Sequence, residues 1–294
     1  MKVAIYGQYY QNSTEPIIRD IFVFFNANNV EMVIEGGFLE LLYEKEIIKK
    51  QYKTFTNYTE LDDSFDLLIS IGGDGTILRA ATIVRDLSIP ILGINAGRLG
   101  FLAKVQKENI DQFLQLVIER KYTISERTLV SLNCTPENES LKGLNFATNE
   151  ITVSRKDTAS MLTIETSLND EYLNSYWADG LIISTPTGST GYSMSCGGPV
   201  LTPDVKSLVI TPMAPHNLNA RPLVVPDEME IKLVVTGREE NHLVSLDSRS
   251  FTIKNDTVLT IKKTPFTIKM VEIPGETFLR TLRNKLLWGE DKRN

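Results

Sequence analysis

The sequence predicts an α/β domain with a mainly parallel sheet, followed by an all-β domain. Three observations support that class. Over residues 1–122, short apolar runs of buried-strand type alternate with stretches whose apolar residues recur at helical spacing. Over 123–274 the runs become short, β-branched and often alternating. Turn pairs such as Asn169-Asp170, Thr236-Gly237 and Asn255-Asp256 separate them. Helical spacing returns over 276–288, through Phe278, Leu279, Leu282, Leu286 and Leu287. The expected domains are therefore 1–122 and 123–274, with the helix in 275–294 packing back on the first.

Residues 2–6 form a β-rich first run ending at Gly7. Thr14-Glu15-Pro16 starts a helix with a capping hydroxyl, an early acid and a first-turn proline. Ile17, Ile18, Ile21, Phe22 and Phe25 then share one face. A second strand is expected over 30–34, and a helix over 38–50 from Leu41, Leu42, Ile47 and Ile48. Residues 65–71 read as a buried strand, 76–86 as a helix, 90–95 as another buried strand and 110–120 as a closing helix. The later strands are expected over 123–134, 149–155, 161–168, 181–185, 208–211, 229–235, 242–246, 250–253, 257–261 and 266–272.

Size and composition bound the function classes. The chain has 294 residues, enough for two ordinary domains, and 42% hydrophobic with 23% charged residues marks a globular protein. A net charge of −6 argues against a mainly electrostatic nucleic-acid binder. Two cysteines, Cys134 and Cys196, make no disulfide framework, so a reducing cytoplasm is expected. The first residues read as a strand and not as a signal peptide, and no apolar run approaches the roughly 20 residues of a membrane span. Neither His216 nor His242 has a zinc-ligand partner at standard spacing.

The chemistry concentrates where a strand turns into a helix. Ile71-Gly72-Gly73-Asp74-Gly75-Thr76 puts three glycines and one acid at that junction. Glycines there admit a ligand close to the backbone, and a helix start favours an anion. Asp74 would repel a phosphate unless it handles a proton or a metal; the bland alternative is a tight turn with Asp74 as helix N-cap. Asn95-Ala96-Gly97-Arg98-Leu99-Gly100-Phe101 is a second glycine-punctuated loop at a strand end. A third block, Thr185-Pro186-Thr187-Gly188-Ser189-Thr190-Gly191-Tyr192-Ser193-Met194-Ser195, offers amides and hydroxyls suited to phosphate or ribose. It lacks the lysine of a Walker A loop and the spacing of a nucleophile elbow, and no G-x-G-x-x-G opens a helix.

The ordered set Gly72-Gly73-Asp74-Gly75-Thr76, Asn149-Glu150, Asp179-Gly180 and 185–192 resembles the NAD kinases, over about residues 65–250. Pro212-Met213-Ala214-Pro215-His216 also looks like a family block. The resemblance implies transfer of the γ-phosphoryl of ATP, or of polyphosphate in some members, to the 2′-hydroxyl of the adenosine ribose of NAD. It implies Asp74 as proton acceptor, with Mg²⁺ as the expected divalent ion; whether Asp74 also holds the metal stays open. It gives Gly75 close approach to ribose and phosphate, and puts Arg79 within reach of the phosphates. Asn149 and Glu150 would bind the ribose and adenine end. Asp179 would contact the nicotinamide side across a subunit interface. Thr190, Gly191, Tyr192, Ser193, Met194 and Ser195 would line the adenine and ribose pocket, with Ala214 at a small pocket position. Leu99 and Phe101 could wall a base.

The expected enzyme is thus an NAD kinase with its site in a cleft between two domains. A homodimer or homotetramer is expected, with no nucleic-acid or membrane partner. Three departures stand out. Gly191 replaces a frequent alanine, Trp177 a frequent basic residue, and Arg249 a glutamine of some members. The rival enzyme reading, a lipid kinase with a GGDG loop, leaves Asn149-Glu150 unaccounted for and lacks an apolar run of lipid size. A module that binds NAD without turnover would gain little from Asp74.

Overall fold

The computed structural model describes residues 1–9, 14–97, 99–105, 110–156 and 161–288. In chain order the elements begin β1 (Lys2–Gly7), α1 (Thr14–Ala27), β2 (Glu31–Glu35), α2 (Gly36–Glu44), β3 (Lys53–Phe55), β4 (Leu67–Gly72), α3 (Asp74–Val84), β5 (Ile91–Asn95), α4 (Ile110–Ile118) and β6 (Thr123–Arg127). They continue with β7 (Val130–Thr135), β8 (Phe146–Ala147), β9 (Glu150–Arg155), β10 (Leu162–Leu168), β11 (Glu171–Ala178), β12 (Gly180–Ser184), α5 (Tyr192–Ser195), β13 (Ser207–Met213) and β14 (Leu223–Pro226). The last are β15 (Ile231–Gly237), β16 (Asn241–Leu246), β17 (Arg249–Lys254), β18 (Thr257–Lys263), β19 (Ile268–Glu272) and α6 (Phe278–Leu286).

Two compact units result, Met1–Glu126 with Ile268–Asn294, and Arg127–Thr267. The first carries a seven-stranded sheet in the order β3-β2-β1-β4-β5-β19-β6. The pairs β1 with β2, β1 with β4, and β4 with β5 are parallel. Buried Val3, Ile5, Leu67, Ile69, Ile71, Leu92 and Ile94 alternate along these strands onto one face. There they pack with Ile18, Ile21, Phe22 and Phe25 of α1 and with Phe113, Leu114 and Val117 of α4. The α1 stripe is the one its periodicity predicts.

Several boundaries differ from the sequence reading. The helix expected over 38–50 occupies Gly36–Glu44 and stops where Glu46 takes a positive φ of 54°. Ile47 is buried just beyond the helix, so core packing and not helical continuation produced its periodicity. Residues 123–127 and 268–272 read as strands of the β-rich texture, yet β6 and β19 complete the sheet of the first unit. Strand patterning reports burial on a sheet face but not which sheet. The short edge strands β3, β8 and β14 and the half-exposed β11 escaped the pattern.

The second unit is two antiparallel six-stranded sheets, β11-β10-β15-β18-β7-β8 and β14-β13-β12-β9-β16-β17. Ile164, Leu233, Leu259 and Leu132 of one meet Ile183, Ile210, Val153 and Val244 of the other in a single core. Asn169 and Asp170, with φ of 48° and 67°, make the tight β10–β11 turn that their sequence signals. The last helix, α6, lies in the first unit: the Phe278 ring sits 6.4 Å from that of Phe101. No described helix is long and apolar enough to cross a membrane.

Candidate active site

In the first unit the site is built around Asp74. Strand β4 runs out at Gly72, Gly73 is the N-cap of α3 and offers no side-chain cap, and Asp74 opens the helix. Its carboxylate does not cap α3. It turns to the loop after β5, where the amide of Phe101 donates to Oδ2 at 2.8 Å. The amides of Leu102 and Ala103 both donate to Oδ1 at 3.0 Å. Oδ1 is thereby filled, and Oδ2 keeps one lone pair for a further donor.

The glycines around this acid divide by cause. A Cβ on Gly100 would overlap the Asp74 carboxylate, and one on Gly72 would overlap the Thr76 side chain, so packing requires both. A Cβ on Gly73 or Gly75 would meet nothing within 4 Å. Nothing in the fold needs Gly75, although glycine weakens a helix. Its bareness suits a ligand lying on the backbone.

The Asp74 loop is braced from one side. Phe101 stacks beside Phe278, with Lys285 Nζ 5.9 Å from its ring centre. Lys104, only 9% exposed, pairs with Glu272 of β19 at 2.5 Å. Arg98 of this loop lies outside the described residues. Arg79 is exposed on α3, and Thr76 Oγ1 donates to Gln8 Oε1 at 3.1 Å, tying the start of α3 to the end of β1.

In the second unit, strands β9, β12 and β16 lie at the centre of one sheet and bring three loops together. Glu150 pairs with Ser184, and Leu246 with Ile151. Asp247, at the β16–β17 turn with φ 51°, points its carboxylate at the start of β9. It accepts from the amides of Thr148 (2.9 Å), Asn149 (2.7 Å) and Glu150 (3.3 Å). The polar segment after β12 folds onto the same place. The Thr185 amide donates to the Asn149 carbonyl at 2.9 Å and Thr185 Oγ1 to the Thr148 carbonyl at 2.6 Å. A Cβ on Gly188 would overlap the Asn149 backbone. What reads in sequence as an open loop is a 3-10 turn, Gly188–Thr190, and α5, with Ser189 and Ser193 wholly buried.

The structure thus brings Asn149, Glu150, Thr190, Gly191 and Tyr192 together, with Ser193, Met194 and Ser195 following on α5. Asn149 Oδ1 and Glu150 Oε2 are buried without a hydrogen-bond partner among the described residues. Asp179 sits between β11 and β12 and pairs with Arg155 at 3.0 Å. Ala214 is exposed at the end of β13 with φ 43°, a left-handed conformation disfavoured for a residue with a Cβ. His242 is fully buried and bonds Asn255 Oδ1 at 2.7 Å, a structural role.

Glu150 is electrostatically unusual. Burial raises its carboxyl to about 8; the nearby Asp247 charge adds to this, and the Tyr192 amide opposes it. Burial also pushes Asp247 up, against its three amide donors and Arg249. Asp247 is the positioning residue that sequence reading missed. An Asp at a hairpin turn looks ordinary, and its partners lie about a hundred residues earlier.

With this geometry in place, comparison with known proteins is decisive. Residues 3–122 match the ATP-NAD kinase N-terminal domain and 148–273 the ATP-NAD kinase C-terminal domain. This chain belongs to the NAD kinase family. A protein of Flavobacterium johnsoniae named NAD kinase is 75% identical over 294 residues, all of both chains. Another, from Bacteroides fragilis, is 42% identical over 293 residues, again covering both chains. Among solved structures, an NAD kinase from Archaeoglobus fulgidus in complex with ATP matches with a TM-score of 0.75 at 26% identity, covering 98% of this chain and 99% of its own. A yeast NADH kinase complexed with NADH shares the fold, with a TM-score of 0.88 at 22% identity over 99% of this chain and 88% of its own.

The structure accounts for this NAD kinase's departures. An alanine Cβ at Gly191 would stand 3.1 Å from the Gly188 carbonyl oxygen and 3.2 Å from Glu150 Oε2, so glycine relaxes a tight contact. Trp177 is 53% exposed and leans on the His216 ring at 5.3 Å. Arg249 donates to the carbonyls of Leu144 and Phe146, binding the chain just before Asn149.

Gly75→Ala is expected to leave chemical stability unchanged or raised by up to about 1 kcal/mol, while turnover falls. Gly100→Ala should lower both, because its Cβ displaces the Asp74 carboxylate. Urea melts beside an activity assay separate the two. Between the ordinary carboxyl value and about 8, folded Glu150 holds a proton that the unfolded chain has released. Stability therefore falls as pH rises through that window, by up to about 1.4 kcal/mol per pH unit. Urea melts at pH 5.5 and 8.5 should show this loss in the native protein and a smaller one in Glu150→Gln.

Proposed function

We propose that the protein transfers the γ-phosphoryl group of ATP to the 2′-hydroxyl of the adenosine ribose of NAD, giving NADP and ADP, with Asp74 accepting the hydroxyl proton. The observation that carries the role of Asp74 is its carboxylate, held by three amides with a lone pair left on Oδ2, beside a Gly75 that no other group covers. A hydroxyl donating to Oδ2 passes its proton there as its oxygen attacks the γ-phosphorus. Such assistance is worth roughly 10²–10⁴-fold in rate.

Asn149 Oδ1 and Glu150 Oε2, without hydrogen-bond partners among the described residues, are the groups offered to the adenosine end of NAD. Gly191 keeps space beside Glu150, and Thr190, Tyr192, Met194 and Ser195 line the pocket, while Ser193, wholly buried and bonded to Thr211, supports it from beneath. Glu150, protonated at neutral pH, can donate as well as accept a hydrogen bond. Ala214 holds a strained backbone of the kind that gathers at binding sites. Asp179 serves the nicotinamide side. In a homodimer or homotetramer that uses it across subunits, it must share or release its Arg155 partner.

The divalent ion fits the same arrangement. Mg²⁺ is commonly held by one or two carboxylates with substrate phosphates and water. The one lone pair left on Asp74 Oδ2 is the acceptor of the hydroxyl proton, so substrate phosphates and water would carry the ion; no group of three or more His, Cys, Asp or Glu among the described residues could form a cage. The ion supplies neutralisation of phosphate charge. Both cysteines are free thiols, which suits a reducing compartment such as the cytoplasm.

Incubation with NAD, ATP and Mg²⁺, followed by an NADP-specific enzymatic assay, should show NADP; its absence would refute the reading. Asp74→Asn should cut turnover by about 10²–10⁴-fold while calorimetry finds NAD affinity within a few-fold. The new amide meets the Phe101 N–H, so stability should also drop, by about 1–3 kcal/mol. Turnover surviving in folded Asp74→Asn would make Asp74 only a brace for the 101–103 loop.

A further inference from the structure

The first unit contains a cavity of about 490 Å³ that the chemistry above leaves unused, apart from Arg79. Such a volume is typical of a small-molecule pocket. It lies at the carboxyl ends of β1 and β2. The sheet order β3-β2-β1-β4-β5 places it beside the point where successive connections go opposite ways, between β1 and β4. In open parallel sheets ligands bind outside the strand ends at such a point.

We propose that this cavity takes the nucleoside diphosphate part of the phosphoryl donor. The inference rests on the NAD kinase reading for the donor's identity and on the cavity's own walls for its place. Three kinds of group line it. Tyr6, Tyr9 and Phe38 supply aromatic surface for a base. The Phe38 ring lies so close to the end of β1 that a Cβ on Gly7 would overlap it.

Glu35, the last residue of β2, supplies a carboxylate for a ribose diol, the place where βαβ nucleotide sites carry such an acid. One of its oxygens caps α2 by accepting from the Phe38 amide at 2.7 Å; the other has no hydrogen bond among the described residues. The capping bond fixes the rotamer, so the second oxygen is held ready. Arg79 supplies the third group, a guanidinium with no ion pair to a described residue, five residues past Asp74 on α3. The bond from Thr76 to Gln8, which also lines the cavity, connects its floor to the Asp74 turn.

This set discriminates among donors. A bare polyphosphate has no use for an aromatic wall or a carboxylate, and the carboxylate would repel it. A nucleoside triphosphate uses all three groups. The cavity therefore favours ATP over inorganic polyphosphate and makes the ribose hydroxyls part of donor recognition.

The test is calorimetric titration of the full chain with ADP, 2′,3′-dideoxy-ADP and NAD, for the native protein, Glu35→Gln and Arg79→Gln. Glutamine can still accept from the Phe38 amide, and Arg79 is exposed, so both variants should fold; a thermal melt checks each. Glu35→Gln is expected to weaken ADP at least tenfold and NAD less than twofold. The native protein should bind dideoxy-ADP as weakly as Glu35→Gln binds ADP. Arg79→Gln should also weaken ADP, and decides the matter if Glu35→Gln melts early. Equal ADP binding by native and variant proteins, or loss of NAD with ADP unchanged, would overturn the assignment. NADP formation is measured in parallel. NADP without any Glu35 or Arg79 effect on ADP refutes the cavity alone; ADP binding that responds to both substitutions without NADP refutes NAD phosphorylation alone.

Discussion

The convergence of the Phe101, Leu102 and Ala103 amides on the Asp74 carboxylate is the constraint on which the first unit depends. Three N–H groups reach one carboxylate only if the chain after β5 turns back over the start of α3. That turn leaves no space for a side chain at Gly100. It also needs support from behind, because Asp74 is only partly buried. The Phe278 ring on α6 and the Lys104–Glu272 pair on β19 provide it. Lys104 is nearly buried, and pairing with Glu272 offsets the cost of removing its charge from water. The last segment of the chain thus returns to the first sheet to hold the acid's loop.

The second unit repeats the device for a different end. Asp247 also accepts three consecutive amides, from Thr148 to Glu150, and like Asp74 it is half-buried with two donors on Oδ1 and one on Oδ2. Asp247 fixes the start of β9; Asp74 fixes the loop after β5 against the start of α3. The difference is what stands beside each carboxylate: Glu150 next to Asp247, and the bare Gly75 backbone next to Asp74. Burial is the main reason Glu150 holds its proton, and the Asp247 charge beside it adds to the effect. Glu150 is then a neutral acid beside Gly191.

Much of the fold was legible because it rests on local patterns. The α1 stripe, the buried strands β4 and β5, and the Asn169-Asp170 turn follow from periodicity and turn chemistry. The errors have physical causes. Ile47 and Ile48 continued the helical period of α2 although the chain had already turned at Glu46, since a core accepts an apolar side chain from either conformation. Thr123–Arg127 and Ile268–Glu272 carried strand patterns without saying which sheet they join. The half-exposed β11 shows no clean alternation, because both its faces are partly wet.

By itself the sequence determined the two-part class, the strand-to-helix junction at Gly72–Thr76 and the family to which its ordered motifs belong. These depend on residue type and spacing along the chain, and both survive without coordinates. Only the tertiary structure decided that Asp74 faces the 101–103 amides and does not cap its own helix. It also decided that Gly100 and Gly72 are needed for packing while Gly75 is not. Asp247 and Arg249 were likewise shown to hold the 144–150 segment, and Glu35 to share a cavity with Arg79. Each of these joins residues far apart in the chain. A carboxylate's role is set by the donors that surround it, and spacing along the chain carries no record of them.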